Sequence, residues 1–425
     1  MRKAITSTAV PTHALKSEAL AGMTASFERF CLAAGIETLS EMMEQDAEAI
    51  CGLRHARGEG RLAHRWGRTK GKIGFHGGKV DVERPRVRGL DGEERILPSW
   101  KSAVGENWLG EWAMNQMLIA VSTRKFERSV RLPGGDVPAP RGAGLSKSAT
   151  SRRFVALSAA RMRQWLATRL DHLDLMVIQI DGVRIAEDRL AAAALGVDAT
   201  GQKHPLGIVE GATENAATAR ALIANLIDRG LDPAVRRLFI VDGSKALSTA
   251  IRRAFGRDTP IQRCQVHKAR NILERLPKSM HASVRSVLRQ AWELDDAAKA
   301  EKLLRNLARR LYADWEGVAG SILEGIDEML TVTRLGLPRE LRRSLACTNI
   351  IENVMGTVRR VCRDVKHWRS PSMAMRWTAA AMMEAKKGFR RLKAHKQLPV
   401  LRAALDRQSA GTSTGRPLAQ IAEAA

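Results

Sequence analysis

The chain has few aromatic residues and lacks several patterns on which nucleic-acid chemistry can depend. Its 425 residues include one tyrosine, Tyr312, which lies in a polar helical pattern and not beside a cluster of Arg and His. That setting argues against a tyrosine nucleophile of the recombinase type. No His-x-His pair occurs either, so the sequence excludes a metal site built from adjacent histidines, of the kind found in relaxases.

Long apolar runs and paired cysteines are also missing. No stretch approaches the about 18 consecutive apolar residues needed to span a bilayer, and residues 1–26 hold no continuous apolar segment of the signal-peptide type. The five cysteines are scattered and form neither a Cys-x-x-Cys pair nor an even disulfide framework. These features predict a protein of a reducing compartment, the cytoplasm.

Positive charge is what the chain has in excess. Its 70 Lys and Arg outnumber 45 Asp and Glu, which gives a formal net charge of +25. The hydrophobic share of 44% and the charged share of 27% are normal for a globular protein. The excess is concentrated in residues 54–88 and 355–407. A large polyanion, nucleic acid, is therefore the first partner to consider.

The first 170 residues predict a mainly helical region. Its predicted elements are an amphipathic helix over 15–35, a short strand over 79–83, a helix over 108–121, a short helix ending near 130, a loop over 132–144 and a basic helix after Ser146. This order is compatible with a helix-turn-helix DNA reader, although the loop is far longer than the usual turn. A helical domain whose arginines form a solvated face is the alternative.

From residue 173 the pattern alternates between buried strands and helices. The predicted elements are strands over 175–180, 190–197 and 205–210, a helix over 216–229, a strand over 238–241, a helix over 245–255 and a strand over 261–266. This order predicts an α/β RNase H-like core, a mixed five-stranded sheet with helices on both faces. Residues 281–337 show helical periodicity alone and predict an all-helical insertion, after which helices near Asn349 and Pro371 return to the core.

Three acidic residues in this part of the chain could act together. Asp181 and Asp242 each follow a predicted buried strand and precede a glycine, and Glu352 lies in a later predicted helix. Carboxylates gathered at one sheet edge would suit Mg²⁺, and two such ions about 4 Å apart can promote attack on a phosphodiester. The alternatives are ordinary Asp-Gly turns and, for Glu352, a capping box with Asn349.

Four stretches resemble the Mutator-type transposases of bacterial insertion sequences, which belong to the DDE transposases with an RNase H-like fold. They are Ile180-Asp181-Gly182, Ile240-Val241-Asp242-Gly243, the run from Gln262 to Asn271 and the run from Cys347 to Asn353. The resemblance covers residues 173–391 well and the first 150 only loosely. Cys347 and Asn353 depart from the usual residues without touching the acidic positions.

This resemblance implies a function and a site. Asp181, Asp242 and Glu352 would be a catalytic DDE triad that binds two Mg²⁺ ions, for which Mn²⁺ can substitute. The enzyme would bind the terminal inverted repeats of its element, release a 3′-hydroxyl and join it to target DNA. Pairing two ends implies a homodimer or higher oligomer on double-stranded DNA, associated with a bacterial nucleoid. An RNase H-like nuclease and a non-catalytic DNA-binding protein, such as a domesticated or decayed transposase, are the alternatives.

The chain divides into six predicted segments. They are an N-terminal helical segment (1–50), a basic DNA-binding region with a candidate helix-turn-helix (51–170), the first part of the catalytic core (171–280), the all-helical insertion (281–340), the second part of the core with basic C-terminal helices (341–407) and a flexible tail (408–425).

Cys264 and His267 form a Cys-x-x-His pair with three interpretations. Half a zinc site would need completion by Cys347, Cys362 or His367. A small buried thiol with a nearby bonded histidine is the simpler interpretation, and a contact between His267 and DNA or the active site is the third.

Basic and aromatic residues complete the candidate DNA contacts. The predicted contacts are Arg152, Arg153, His267, Arg359, Arg360 and Arg363. Trp292 and Trp315 could stack on a base, but core packing is the interpretation we favour.

Overall fold

The computed structural model describes most of the chain, in two compact units that divide between Leu157 and Ser158. The described residues are 12–54, 63–75, 78–105, 108–119, 147–186, 189–363, 365 and 367–413. In these residues no helix is both long enough and apolar enough to cross a membrane.

The first unit combines helices with a three-stranded antiparallel sheet. Its elements are α1 (Thr12–Cys51), β1 (Ala63–Phe75), β2 (Gly78–Gly89), β3 (Glu94–Arg95), α2 (Pro98–Gly105), α3 (Trp108–Leu118) and the first half of α4 (Lys147–Ala167). Its core packs Met43 and Ala47 of α1 against Val82, Val87 and Leu97.

The long β1–β2 hairpin corrects the expectation that this region has a single short strand over 79–83. The sequence of β1, AHRWGRTKGKIGF, has only a few widely spaced apolar residues, so the alternation that reveals a strand is missing. β1 is ordered by its pairing with β2 along nearly its whole length. The predicted short helix ending near 130, the loop over 132–144 and residue Ser146 lie outside the described residues.

The second unit is built on a mixed five-stranded sheet. Its strands are β4 (Leu175–Ala186), β5 (Arg189–Asp198), β6 (Lys203–Glu210), β7 (Leu238–Val241) and β8 (Ile261–Arg263). The spatial order is β6-β5-β4-β7-β8, with antiparallel pairs among the first three and parallel pairs between β4, β7 and β8. The predicted α/β fold and its five-stranded mixed sheet are confirmed.

Helices cover both faces of this sheet. On one face, α5 (Ala216–Asp228) and α6 (Lys245–Phe255) bury Leu222 and Leu247 against Ile180 and Phe239. On the other face, helices from the C-terminal part of the chain cover Val177 and Ile240. They are α12 (Thr331–Arg334), α13 (Arg339–Leu345) and α16 (Leu398–Ser413). Because strand β4 is buried on both sides, its sequence is a nearly continuous apolar run.

Between β8 and residue 330 the chain is helical and has its own core, which includes Leu288, Leu304 and Ile322. The helices are α7 (Gln265–Leu273), α8 (Lys278–Glu293), α9 (Ala297–Tyr312), α10 (Glu316–Leu323) and α11 (Ile326–Met329). Two further helices, α14 (Asn349–Cys362) and α15 (Pro371–Lys386), pack on each other and on the sheet.

Two predicted boundaries change. β8 ends at Arg263, not at residue 266, because Cys264 caps α7 and the helix starts at Gln265. α16 continues to Ser413, beyond the predicted start of the tail at 408.

Candidate active site

Asp181 and Asp242 lie side by side on neighbouring strands. Ile180 pairs with Val241 in the parallel β4–β7 ladder, so the residues that follow them are adjacent. β4 continues through Asp181 to Ala186, and Asp181 pairs with Ala193 of β5. The predicted end of β4 at Asp181 is therefore wrong, and so is the hairpin-turn alternative for this residue. The turn alternative also fails for Asp242, because β7 is followed by α6.

Hydrogen bonds fix the carboxylate of Asp242. The hydroxyl of Thr213 donates to Oδ2 at 2.8 Å, and the backbone N–H of Ser244 donates to Oδ1 at 3.0 Å. The Ser244 hydroxyl in turn donates to the carbonyl of Thr213 at 2.7 Å. Gly243 has a φ of 108°, and a Cβ there would meet the Arg263 guanidinium at 2.3 Å. The loop that carries Asp242 therefore requires glycine at this position.

Glu352 reaches the same edge on α14, whose first turn is attached to β4. The buried side chain of Gln179 donates from Nε2 to the carbonyl of Cys347 at 3.2 Å and accepts from the N–H of Ile351 at 3.2 Å. The helix begins at Asn349, with Thr348 as N-cap and no side-chain capping bond. The capping-box alternative for Glu352 is therefore wrong, because Asn349 is the first helical residue and not the cap.

The three carboxylates influence one another electrostatically. The pKa of Asp181 is raised to about 7, mainly by burial; the charge of His267 acts to lower it, and the charges of Asp242 and Glu352 contribute to the rise. Asp181 is 6% exposed. A divalent cation at this place would offset the repulsion between the buried carboxylate and the other two, because a cation favours the charged form of all three. These side chains therefore fit oxygen ligation of Mg²⁺ or Mn²⁺.

His267 lies in the first turn of α7, beside Glu352. Its Nε2 is 3.8 Å from Oε1 of Glu352, and its Nδ1 is 3.5 Å from the Thr348 hydroxyl. A hydrogen bond with Cys264 raises the pKa of His267 to about 9; burial opposes the change, and the negative charges of Asp181 and Glu352 support it. These contacts favour the protonated form of the imidazole.

The thiol of Cys264 accepts several hydrogen bonds. The N–H of His267 donates to Sγ at 3.5 Å, and both the N–H and the hydroxyl of Thr348 donate to it at 3.4 Å. Burial by itself raises the pKa of Cys264, but these bonds and the one with the His267 side chain outweigh it and lower the pKa. Among the described residues, Cys347, Cys362 and His367 do not join Cys264 and His267 in a group of ligands.

The predicted DNA contacts fall at three places. Arg359 lines an open groove with Glu352, Asn353 and Gly356, and it is exposed. Arg360 and Arg363 are exposed further along the same helix, and His267 lies within the carboxylate group. Arg152 is exposed and Arg153 half-buried on α4, in the first unit. Trp292 and Trp315 pack partly against the helical core, in agreement with the favoured interpretation.

Four residues that the sequence analysis missed hold the site together: Gln179, Thr213, Ser244 and Thr348. The sequence does indicate Gln179, because it is the one polar residue inside the apolar run Leu175–Ile180. Ser244 is indicated more weakly, because it is a helix N-cap that directly follows Asp242-Gly243. Thr348 lies in the run from Cys347 to Asn353 that carries the family resemblance. Nothing in the sequence marks Thr213, since its partner Asp242 is distant in the chain.

Comparison with known proteins places this chain in a family. A sequence model described as "Transposase, Mutator family" matches residues 11–391. The transposase for insertion sequence element IS6120 of Mycolicibacterium smegmatis is 31% identical over 223 residues, 51% of this chain and 67% of that protein. The transposase for IS256 in transposon Tn4001 of Staphylococcus aureus is 25% identical over 359 residues, 81% of this chain and 87% of the relative. The transposase for IS1081 of Mycobacterium tuberculosis is 26% identical over 399 residues, 90% of each chain.

The chain belongs to the Mutator family of transposases, whose relatives here are named as transposases of insertion sequences. Transposases in general cleave DNA and transfer its strands, and this family generally uses a divalent metal ion.

Proposed function

We propose that this protein is a DDE transposase with an RNase H-like catalytic core. Asp181, Asp242 and Glu352 form its triad, and the helices between β8 and α13 form an insertion in that core. The observation that carries the proposal is the meeting of the three carboxylates at one sheet edge, where Asp181 responds to the charges of the other two. Bound there, a pair of Mg²⁺ ions would activate a water or 3′-hydroxyl and stabilise the leaving oxygen.

The protein side chains have separate tasks in this proposal. Asp181 in β4 and Asp242 directly after β7 bind the metal ions. Thr213 and Ser244 orient the carboxylate of Asp242. Gln179 holds the start of α14, the helix that carries Glu352. His267 and the groove residue Arg359 are placed to contact DNA phosphates next to the reacting bond.

The substrate is double-stranded DNA, both the terminal inverted repeats of the element and the target. Arg360, Arg363, Arg152 and Arg153 add phosphate contacts outside the carboxylate group. Joining two element ends requires at least a dimer on DNA. The reaction takes place in the cytoplasm, on the nucleoid, where the target DNA is found.

The deciding experiment changes one carboxylate. Glu352→Gln keeps the side-chain length and the acceptor for the Thr348 hydroxyl, but it removes the charge that binds metal. We expect cleavage and joining of end-containing DNA in Mg²⁺ to fall by more than about 100-fold, while binding to the same DNA persists. Glu340→Gln is the matched control, because Glu340 is also an exposed first-turn glutamate, on α13.

The rivals give different results in the same assay. A non-catalytic DNA-binding protein would bind end-containing DNA and break no strand in Mg²⁺ or Mn²⁺. A nuclease would cleave and lose activity with Glu352→Gln, yet it would form no joined product with target DNA. Unchanged cleavage and joining by Glu352→Gln would show that the triad assignment is wrong.

A further inference from the structure

Cys264, His267 and Glu352 form a mixed group of ligand atoms at the border of the carboxylate site. One ligand atom from each lies within 4.8 Å of the other two. His267 Nε2 and Glu352 Oε1 are 3.8 Å apart. Zinc bound tetrahedrally to sulfur, nitrogen and oxygen holds neighbouring ligand atoms at about 3.3–3.7 Å. The His267–Glu352 pair is already close to that spacing, and the other pairs would have to shorten by at most about 1.5 Å to surround one cation.

The Thr348 hydroxyl lies beside the same group. Its oxygen is 3.4 Å from Cys264 Sγ, 3.5 Å from His267 Nδ1 and 3.2 Å from Glu352 Oε1. The hydroxyl therefore contacts all three side chains and keeps them close together. The N–H groups of His267 and Thr348 also point at the sulfur and favour its thiolate form.

Helix capping alone does not account for the cysteine. Cys264 is the N-cap of α7, but Ser, Thr, Asp and Asn cap helices better than cysteine does. Its sulfur is buried, whereas the side chains of His267 and Glu352 are 21% and 35% exposed. A cation can therefore approach from the solvent side and reach the thiolate last.

We infer that Cys264, His267 and Glu352 form a binding site for a thiolate-preferring divalent cation such as Zn²⁺. Sulfur and imidazole nitrogen select Zn²⁺ or Co²⁺ over Mg²⁺, which prefers oxygen. The inference rests on the proposed function in one respect, since Glu352 is shared with the catalytic triad. Zn²⁺ at this site withdraws Glu352 from Asp181 and Asp242, so Zn²⁺ and catalytic Mg²⁺ exclude each other.

Cobalt gives a direct readout of the site. The protein would carry Cys31→Ser, because Cys31 is an exposed cysteine that could bind metal by itself. One equivalent of Co²⁺ should then give the near-ultraviolet thiolate-to-cobalt absorption. Cys264→Ser should abolish that absorption and keep the α7 cap, since serine is a preferred N-cap. His267→Gln and Glu352→Gln should weaken Co²⁺ binding by about tenfold or more.

Two controls make the result specific. Cys362→Ser removes another buried thiol and should leave the absorption unchanged. Asp242→Asn should also keep it while stopping DNA cleavage, so the cobalt site and the proposed triad are tested independently. In wild-type protein at fixed Mg²⁺, Zn²⁺ should inhibit cleavage, and Cys264→Ser should require about tenfold more Zn²⁺ for half-inhibition of its own rate. No thiolate absorption at one equivalent, or absorption that survives Cys264→Ser, would overturn the inference.

Discussion

Asp198 closes the turn between β5 and β6 with a dense set of hydrogen bonds. Its Oδ1 accepts from the N–H groups of Thr200 and Gln202 at 2.9 Å, and its Oδ2 lies 2.7 Å from Nε2 of His204. Burial alone raises the pKa of Asp198, but the bonds from His204, Thr200 and Gln202 outweigh it and lower the pKa. The ionised carboxylate therefore stabilises the folded hairpin.

The pH dependence of this hairpin follows from the sign of the shift. A lowered folded pKa gives stability that is present above the unfolded value, about 4, and is lost as pH falls through the folded value. Asp198→Asn should lower the local opening free energy of residues 195–210 by about 1–3 kcal/mol at pH 7, measured by amide hydrogen exchange. The difference between variant and wild type should shrink towards pH 3. A constant difference from pH 7 to pH 3 would contradict this account.

Individual residues also show where sequence reasoning works and where it stops. The neighbouring positions of Asp181 and Asp242 were predictable because each follows an apolar run in the sequence, and the parallel pairing of those two runs places the next residues side by side. Glu352 was predictable only through the family resemblance, since its local pattern fitted a capping box equally well. Thr213 was not predictable, because its partner Asp242 lies 29 residues away. Thr348 contacts Glu352 four residues along the chain, but its contact with His267 joins residues that are 81 positions apart.

At the scale of elements, two buried glutamines attach helices to the sheet. Gln179 of β4 holds the first turn of α14, as described above. Gln262 of β8 donates from Nε2 to the carbonyl of Met329 at 2.9 Å and accepts from the N–H of Val332 at 3.0 Å, so it holds α12. Both side chains are fully buried. Each amide therefore fixes helical backbone to one strand by a donor and an acceptor together, Gln179 at the start of α14 and Gln262 where α11 meets α12.

The two glutamines make a reciprocal test. Gln179→Leu leaves the N–H of Ile351 and the carbonyl of Cys347 without these partners, which should cost about 1–3 kcal/mol per group. Amide exchange should therefore accelerate in residues 349–355 and stay unchanged in residues 326–334. Gln262→Leu should give the opposite pattern. If both variants loosen the same segment, the helices are not held separately by these amides.

Strands were predictable from the sequence where both of their faces are buried. β4 and β7 are buried on both faces and appear as apolar runs, whereas β1 is rich in glycine and basic residues and gives no alternation. β8 was predicted too long because Cys264, a poor cap by type, ends the strand and starts a helix. The sheet order followed from element order, but the attachment of α14 to β4 depends on Gln179.

At the scale of the whole molecule, the net charge of +25 is distributed unevenly. In the first unit, acidic residues from outside the basic stretch 54–88 pair with it. Glu44 lies 2.9 Å from Arg54 and 2.6 Å from Arg65, and Glu94 lies 2.8 Å from Arg86. The free positive charge of this stretch is therefore smaller than its composition indicates.

The positive charge after Glu352 includes two exposed arginines at the end of α14. Arg359 and Arg360 are exposed in the last turn of α14, and the axial rise puts Arg359 about 10 Å from Glu352 on nearly the same helical face. DNA held for reaction at the carboxylates would extend past these arginines. Each arginine that neutralises a phosphate releases counterions and adds about 0.9 to the slope of log affinity against log salt.

Neutralising both arginines therefore tests whether DNA follows α14. Arg359→Gln with Arg360→Gln should flatten the salt slope of binding to end-containing DNA by up to about 1.8. Arg309→Gln with Arg310→Gln is the matched control, because these residues are also consecutive, exposed and in the last turn of a helix, α9. The control changes net charge equally, so a long-range effect would flatten both slopes alike. A slope that changes only for the α14 pair would place DNA along that helix, and an unchanged slope would exclude these two contacts.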